Sequence, residues 1–521
     1  MANPLKTLPS VNELIASPRL REWIDLVSRT TVVVAARRVL DEVRQQVRSS
    51  TGDSLPTPAE LVDRIARWVD REERVRLVPV INGTGVLLPT ALGRAPWPRE
   101  ALEAAAAIGQ GYCSLEVDPT SGDSSRREEC VAGLLRELTG AEAALVVNNT
   151  AAATLLSLAV TAAGREVIVA RGDLVEVEAS YRLPEMVSTC GALLKEVGTT
   201  NRTRITDYEQ AIGTTTGALL RVRPSEFRIV GFEESTSIEE LVRLGRSRSI
   251  PVIDDLGSGA LIDFARFGLD EQPSIRDSVA AGADLILFSG DKLVGGPQVG
   301  VICGRRAMIA KLVRHPLARA VRVDKMALAG LEATLRLYRD PALAMLRVPL
   351  LAMLDTPLAN LQLRANSLVA RLQATGAVRS VEQGASRAAL GGGANPSAQI
   401  DSWELIVTPL KESAAVLSRK LRTGSPAVFA RVDGERLRID LRTVFPAEDS
   451  RLVEAFAKLA PEVPTSTATS AGRSTESDAA TSEVKPGEAP LGADRESSNA
   501  MPPGEANGAT GDPIENQGSS S

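Results

Sequence analysis

A lysine set among glycines follows an apolar run at positions 285–288. The segment reads Ser289-Gly290-Asp291-Lys292 and continues into Gly295-Gly296. An amine at the exit of a strand suits a Schiff base with pyridoxal phosphate, and nearby glycines let the backbone approach a flat ring. Ser289 adds a hydroxyl that can hold a phosphate oxygen. Taken alone, the same pattern also describes an ordinary surface lysine.

A pair of adjacent aspartates strengthens the hypothesis. Asp254 and Asp255 end an apolar run at 251–253, and Asp255 stands 37 residues before Lys292. A carboxylate in that place can pair with the pyridinium nitrogen and keep it protonated, which makes the ring an electron sink. The spacing alone does not decide between the two aspartates, and an ordinary loop start has the same composition.

The third element is a candidate seat for the cofactor phosphate. Asn149, Thr150 and Ala151 follow the apolar run 144–147 and open a predicted helix. Backbone N–H groups at a helix N-terminus bind anions, although a simply capped helix would look the same. The order of phosphate seat, aspartate and lysine predicts a pyridoxal enzyme of aminotransferase-like fold.

Composition excludes several other mechanisms. The 521-residue chain contains one histidine, His315, so a Ser-His-Asp triad or a two-histidine metal site has almost nothing to draw on. None of the four cysteines forms a CxxC pair, and no metal site is expected. The longest largely apolar stretch, 151–164, is shorter than the roughly 18 residues of a membrane span. We expect a cytoplasmic protein without a signal peptide or a membrane partner.

Short β-branched runs alternate with helical patterns between about residues 81 and 338. This rhythm predicts an α/β fold with a mostly parallel sheet and helices on both faces, whose ligands lie at the carboxyl ends of the strands. The predicted strands of this part are 144–147, 166–169, 229–232, 251–253 and 284–287.

We predict four regions along the chain. Residues 1–75 show helical spacing, and Thr57-Pro58-Ala59-Glu60 has the pattern of a capped helix start. A large cofactor-binding domain would span 76–340. A small α+β domain would follow over 341–460, with strands at 402–407, 427–430 and 437–441 and a turn at Asp433-Gly434.

The last 61 residues, 461–521, differ in composition from the rest. They contain no aromatic residue and carry a charge of −7, whereas the whole chain carries −5. Such a segment buries too little apolar surface to offset its ordering entropy, so a disordered tail is predicted. The remaining residues sum to +2, and the acidity of the chain therefore does not argue against an RNA partner.

The chain resembles the bacterial selenocysteine synthases, the L-seryl-tRNA(Sec) selenium transferases. The resemblance runs over about residues 8–460 and rests on several long segments. They include INGTGVLLPTALGRA at 81–95, DLGSGALID at 255–263, SGDKLVGGPQVG at 289–300 and HPLARAVRVDKMALAGLEATLRLY at 315–338.

The resemblance implies roles for individual residues. Lys292 would be the Schiff-base lysine, and Asp255 rather than Asp254 the pyridinium partner. Arg94, Arg319 and Arg322 would clamp the oxyanion of the selenium donor, because guanidinium forks match phosphate geometry. Asp291 would lie nearby.

The resemblance also implies an activity and partners. Seryl-tRNA(Sec) would be converted to selenocysteyl-tRNA(Sec) through an aminoacrylyl intermediate, with selenophosphate as the donor. The family further implies a ring-like homo-oligomer, a decamer, whose N-terminal helical domains grip tRNA.

The chain departs from the usual family pattern in several segments expected near the cofactor. Pro89 stands where the family has His, Ala91 where it has Asn, and Arg223 where it has His. Residues 178–182, Glu-Ala-Ser-Tyr-Arg, stand where it has Gly-Gly-Ser-Phe-Arg, so Glu178 replaces a Gly. Leu115-Glu116-Val117, followed by Gly122-Asp123-Ser124, stands where the family has Leu-Glu-Tyr followed by Gly-x-Arg. Losing the histidines removes candidate ring-stacking or acid–base groups. Two rival functions remain: a pyridoxal lyase or transferase acting on a small amino or sugar acid, and a non-catalytic tRNA-binding protein.

Overall fold

The computed structural model describes residues 7–49, 55–73, 75, 77–177, 181–224, 227–269, 272, 274–392 and 395–460. The predicted tail at 461–521 lies outside these ranges.

The N-terminal segment forms the predicted helices. Thr57 and Glu60 cap the last of them reciprocally: Thr57 N–H donates to the Glu60 carboxylate over 2.7 Å, and Glu60 N–H donates to Thr57 Oγ1 over 3.3 Å. Apolar residues at three- and four-residue spacing, among them Leu20, Leu40 and Leu61, form a core of their own. The helices are α1 (Val11–Ile15), α2 (Pro18–Leu26), α3 (Arg29–Ser49) and α4 (Pro58–Glu73).

A seven-stranded sheet carries the central part of the chain. Its strand order is β2-β10-β9-β8-β7-β3-β6, and β10 alone in this sheet runs antiparallel to its neighbours. This arrangement confirms the predicted mostly parallel sheet. The strands are β2 (Ala143–Val147), β3 (Glu166–Ala170), β6 (Leu193–Val197), β7 (Thr216–Val222), β8 (Val252–Gly257), β9 (Leu285–Ser289) and β10 (Gly300–Gly304).

Helices cover both faces of this sheet, because alternate strand residues are apolar on both sides. In β9, Ile286 and Phe288 pack into one hydrophobic cluster, whereas Leu285 and Leu287 pack into the other. Helices α6, α10, α11 and α14 contribute to the first cluster, and α7, α8 and α12 to the second. The helices here are α5 (Arg99–Gly109), α6 (Glu129–Thr139), α7 (Thr150–Ala162), α8 (Leu183–Thr189), α9 (Ile205–Ala211), α10 (Ile238–Arg248), α11 (Ile275–Ala281), α12 (Arg306–Arg314), α13 (Pro316–Ala320) and α14 (Lys325–Leu337).

The C-terminal part is an α+β layer with a five-stranded sheet in the order β1-β13-β14-β12-β11. The predicted strands at 402–407, 427–430 and 437–441 all fall in this sheet. Its elements are α15 (Pro341–Arg347), α16 (Pro349–Asp355), α17 (Leu358–Ala374), β11 (Val378–Gly391), β12 (Asn395–Pro409), α18 (Ala414–Thr423), β13 (Ala427–Asp433), β14 (Arg436–Asp440) and α19 (Asp449–Ala457), with β1 (Val80–Gly83) at its edge. A separate two-stranded pair consists of β4 (Glu176–Val177) and β5 (Tyr181–Arg182).

Two expectations about strands need correction. Residues 80–83, which the sequence placed in the large domain, form β1 and pair in parallel with β13 of the C-terminal sheet. Residues 229–232 are not a strand: Gly231 and Phe232 have positive φ angles of 82° and 51°, and Val230 and Phe232 are exposed. The strand of this part is β7, which lies between β3 and β8.

Candidate active site

Lys292 lies in a buried loop whose backbone is held in place. The loop leaves β9 at Ser289; Gly290 N–H donates to the Val299 carbonyl over 3.0 Å, and Gly296 N–H donates to the Gly290 carbonyl over 2.8 Å. A Cβ on Gly290 would lie 2.6 Å from Val299 Cγ2, so only glycine fits. Lys292 is 9% exposed. The structure thus presents an amine at the carboxyl end of a parallel strand, in a setting largely shielded from water.

Asp255 lies on the α7 side of β8. Thr154 Oγ1 and Gly257 N–H each donate to its carboxylate over 3.0 Å. Burial raises the pKa of Asp255 to about 6, and these two hydrogen bonds together with the charge of Lys292 oppose the rise. A desolvated carboxylate near an amine results, and a positively charged ligand group would stabilise its ionised form.

Asp254 faces the opposite side of the sheet. Its carboxylate accepts a bidentate pair from Arg221, with distances of 2.7 and 2.8 Å, and a third hydrogen bond of 2.6 Å from Ser278 Oγ. Asp254 is fully buried, and its charge is neutralised inside the protein. The strand alternation therefore separates the two aspartates that the spacing could not tell apart, and it leaves Asp255 on the Lys292 side.

The predicted phosphate seat is the N-terminus of α7. Asn149 caps the helix by accepting from Ala152 N–H over 2.8 Å, and Thr150 and Ala151 form the first turn. Gly300 of β10 pairs with both Val147 at the end of β2 and Ser289 at the end of β9. The seat and the lysine strand are therefore two strand spacings apart, about 10 Å.

Gly300 also brings β10 close to the seat. A Cβ at this position would lie only 2.1 Å from the Asn149 carbonyl oxygen, so the strand can approach the helix start only as glycine. The first turn of α7 is therefore packed tightly against the sheet.

Asp291 links the lysine loop to Arg94. Ser289 Oγ donates to one oxygen of Asp291, and Arg94 Nη1 donates to the other over 2.9 Å. Arg94 has a left-handed φ of 60°, a conformation that costs roughly 1–3 kcal/mol for a residue with a side chain. Its buried Nε atom has no hydrogen-bond partner among the described residues. The Ser289 proton is directed to Asp291, and the hydroxyl keeps its capacity to accept.

Arg319 and Arg322 lie in a second charged cluster, centred on Glu116. Arg322 Nη1 lies 3.4 Å from Glu116 Oε1, and Arg127 Nη2 lies 2.7 Å from the same oxygen. Asn148 N–H donates to the Val321 carbonyl over 2.9 Å, which places this cluster beside the start of α7. The structure thus places Lys292 near enough to Asp255 for its charge to lower the pKa of that carboxyl group, and it distributes the three predicted arginines between two carboxylates.

Sequence reasoning missed three residues of these networks. Thr154 lies one helical turn after Thr150, and that spacing could have indicated a hydroxyl on the Asp255 face. Arg221 is a charged residue inside the apolar run of β7, which is a signal for a buried partner. Glu116 gave no local signal, because its partners lie far away in the sequence.

Among the departures from the family pattern, Pro89, Ala91 and Arg223 fall in described residues, and Glu178 lies outside them. Pro89 and Ala91 belong to a turn at the surface that leads to Arg94. Arg223 lines a polar cavity of about 700 Å³ on the Asp254 side of the sheet. In the same cavity burial raises the pKa of Asp173 to about 7. The replaced family histidines therefore lie in two different surroundings.

The described residues contain no helix long and apolar enough to span a bilayer. Within the same residues, no group of three or more His, Cys, Asp or Glu side chains is arranged to hold a metal ion.

Comparison with known proteins identifies the family. The model of the family "L-seryl-tRNA selenium transferase" matches residues 80–445, and that of the family "Selenocysteine synthase N terminal" matches residues 5–44. The L-seryl-tRNA(Sec) selenium transferase of Moorella thermoacetica is 44% identical over 87% of this chain and 96% of its own length. This chain belongs to the L-seryl-tRNA selenium transferase family. The protein of that name from Hyphomonas neptunium is 42% identical over 88% of this chain and 100% of its own length.

A solved structure supports the fold. D-glucosaminate-6-phosphate ammonia-lyase superposes with a TM-score of 0.51, at 21% identity, over 75% of this chain and 97% of that one. At this identity the likeness shows the fold alone. It confirms the predicted aminotransferase-like fold class for this member of the family.

Proposed function

We propose that this protein converts L-seryl-tRNA(Sec) to L-selenocysteyl-tRNA(Sec) with selenophosphate as the donor. The observation that carries the proposal is the buried Lys292 beside Asp255 at the sheet edge, in a chain that spans nearly the full length of relatives bearing that activity in their names. An amine and a desolvated carboxylate are the groups that this chemistry needs.

The residues of the site fit pyridoxal phosphate. Lys292 would attach to its aldehyde, and Asp255 would face its ring nitrogen. The first turn of α7, with Asn149, Thr150 and Ala151, would hold its phosphate. The Ser289 hydroxyl, which donates to Asp291 in this structure, would turn to donate to a phosphate oxygen. When bound, the cofactor supplies an electron sink for cleavage at the substrate α-carbon.

The protein's own side chains supply charge, orientation and exclusion of water. Asp255 offers a buried negative charge, whose cost of burial is lowered by a cationic partner. Asp291 holds Arg94 at the rim of the lysine loop. Arg94, Arg319 and Arg322 would bind the oxyanion of the donor through their guanidinium forks.

The domain assignment is part of the same proposal. The helical bundle of residues 1–75 would bind tRNA. Residues 76–340, apart from β1 in the C-terminal sheet, would hold the cofactor, and residues 341–460 together with β1 would form the small domain beside it. We further propose a cytoplasmic homo-oligomer. The acidic segment 461–521 would take no part in the chemistry.

The decisive experiment measures selenium incorporation into purified seryl-tRNA(Sec) with selenophosphate. We expect incorporation by the full chain and none by Lys292→Ala. If the protein instead releases ammonia from small amino or sugar acids and leaves seryl-tRNA(Sec) unchanged, the function is that of the rival lyase. Binding of seryl-tRNA(Sec) without turnover would assign the non-catalytic role.

A deletion tests the assignment of the bundle. Removal of residues 1–75 should weaken tRNA binding far more than cofactor binding, because the cofactor residues all lie after position 140 while the arginine-bearing helices α2–α4 lie before it. Truncation after residue 460 is the control and should change neither. Equal tRNA affinity with and without the bundle would refute its role.

A further inference from the structure

Two guanidinium groups, those of Arg127 and Arg322, contact the same carboxylate oxygen of Glu116. Arg127 donates to Glu116 Oε1 through Nη2 over 2.7 Å and through Nε over 3.1 Å, and Arg322 Nη1 lies 3.4 Å from it. Arg127 first, and then Arg322 and Arg319, lower the pKa of this carboxyl group. One carboxylate thus contacts two cations and feels the charge of a third, so this group of four side chains keeps a surplus of positive charge.

Arg127 is the fixed part of this cluster. Its Nη1 donates to the Val323 carbonyl over 2.9 Å, and its side chain is only 13% exposed. Glu116 and Arg322 are open to solvent, with side chains 52% and 35% exposed. A ligand arriving from solvent therefore meets Glu116 and Arg322, and the less exposed guanidinium group of Arg127 lies behind them.

The loop that carries Glu116 is held by its own hydrogen bonds. Ser125 N–H donates to the Glu116 carbonyl over 3.1 Å, and Asp118 N–H donates to the Asp123 carbonyl over 2.8 Å. The Glu116 backbone is therefore anchored, and rotation of the side chain alone is enough to release the arginines.

We propose that Glu116 is a placeholder anion, which occupies the oxyanion position of the donor site and is displaced when a phosphate-type ligand binds. A carboxylate oxygen and a phosphate oxygen make the same charge-assisted hydrogen bonds to guanidinium forks. A dianion offers more acceptor oxygens and more charge than one carboxylate, so it competes effectively, whereas a neutral ligand does not. The identity of the natural anion as the selenium donor rests on the proposed function; the competition itself does not.

The test is binding of inorganic phosphate to the full chain, measured by calorimetry at constant ionic strength. Glu116→Gln keeps the size of the side chain and removes the competing charge, so phosphate affinity should rise about fivefold, the scale of a half-exposed ion pair. Glu137→Gln is the matched control, because Glu137 is a similarly exposed carboxylate paired with Arg339 over 2.6 Å outside the cluster. It should leave phosphate affinity unchanged.

A second variant separates this inference from the proposed function. Arg322→Gln should weaken phosphate binding in both the wild-type and the Glu116→Gln background. Suppose that Arg322→Gln weakens phosphate binding, while Glu116→Gln either weakens it as well or leaves it unchanged. The anion site then exists, and the placeholder role of Glu116 is wrong. If neither variant changes phosphate binding, the cluster is not an anion site, and the placement of Arg322 in the proposed donor site fails as well.

Discussion

The adjacent aspartates of β8 lie on opposite faces of the sheet and have different hydrogen-bond partners. On the α11 side, Asp254 receives three hydrogen bonds, two of them from Arg221, and its charge is matched within the protein. On the α7 side, Asp255 receives two hydrogen bonds from neutral groups, and burial raises its pKa to about 6. A carboxylate matched by its own ion pair stabilises the fold. A buried carboxylate without a matching cation in the protein is available to pair with a positively charged ligand group. For this reason carboxylates with a perturbed pKa are common at functional sites.

The largest expected effect lies on the Asp255 side. Lys292→Ala should abolish both the visible absorbance of bound pyridoxal phosphate and selenium transfer, because no other amine would replace the buried one at the end of β9. Lys311→Ala, at an exposed lysine of α12, is the control and should retain both. Absorbance spectra and borohydride labelling measure the effect. If borohydride labels a lysine other than Lys292 in the wild-type protein, the assignment of Lys292 and of the Asp255 side of the sheet to the cofactor is wrong.

The second prediction concerns the Asp254 side. Asp254→Ala leaves Arg221, whose side chain is only 12% exposed, without its ion-pair partner, and we expect a loss of about 3–5 kcal/mol in the free energy of unfolding. Denaturant titration of the cofactor-free protein measures it. Asp255→Ala is the comparison variant. It should lower the free energy of unfolding less than Asp254→Ala does, and it should weaken cofactor binding more. Equal losses of stability at the two positions would remove the distinction between the sides.

The third prediction follows from the pKa of Asp255. The pKa of Asp255 is about 6 in the folded protein and about 4 in the unfolded chain. Folding therefore favours the protonated carboxyl group. Its stabilising contribution is fully present below about pH 4 and is lost as the pH rises through about 6. The amide side chain of the Asp255→Asn variant does not titrate. The free energy of unfolding of the cofactor-free variant, relative to that of the wild type, should therefore increase by about 2–3 kcal/mol between pH 4.5 and pH 7.5. Unfolding free energies at the two pH values test this. A difference that stays constant with pH would mean that Asp255 is adequately paired in the cofactor-free protein.

Sequence reasoning recovered the parts of the fold that local pattern determines. The capped start of α4, the strands flanking the lysine and the aspartates, and the polar residues at their ends all follow from short-range spacing. The pattern failed at 229–232, where β-branched residues favour a strand but the positive φ of Gly231 and Phe232 makes a turn. It also missed β7, whose Leu-rich composition is less strand-like, because pairing with β3 and β8 decides its conformation.

The candidate site divides in the same way. Lys292 and Asp255 could be proposed from the strands that carry them, because parallel strands bring their carboxyl ends to one edge. Choosing between Asp254 and Asp255 required the structure, because it shows which face of the sheet each side chain occupies. The links of Arg94 to Asp291 and of Arg322 to Glu116 join residues about 200 positions apart, and no local pattern encodes such contacts.

The smallest expected effect concerns the hydroxyl groups that serve each aspartate. Thr154→Val keeps the shape of the side chain and removes the 3.0 Å hydrogen bond to Asp255, whereas Ser278→Ala removes the 2.6 Å hydrogen bond to Asp254. Each should cost about 1–2 kcal/mol near pH 7.5, since hydrogen bonds to charged groups are stronger than average.

The two variants should diverge at lower pH. Near pH 5 the carboxyl group of Asp255 is protonated in the folded protein, so the hydrogen bond from Thr154 loses its charge assistance and the cost of Thr154→Val should fall by about half. The cost of Ser278→Ala should not change, because Arg221 already neutralises its acceptor. Unfolding titrations of both variants at pH 5 and 7.5 give the comparison. A parallel response of the two would mean that the carboxylates of β8 share one electrostatic environment, and that the cofactor side is not distinguished by unmatched charge.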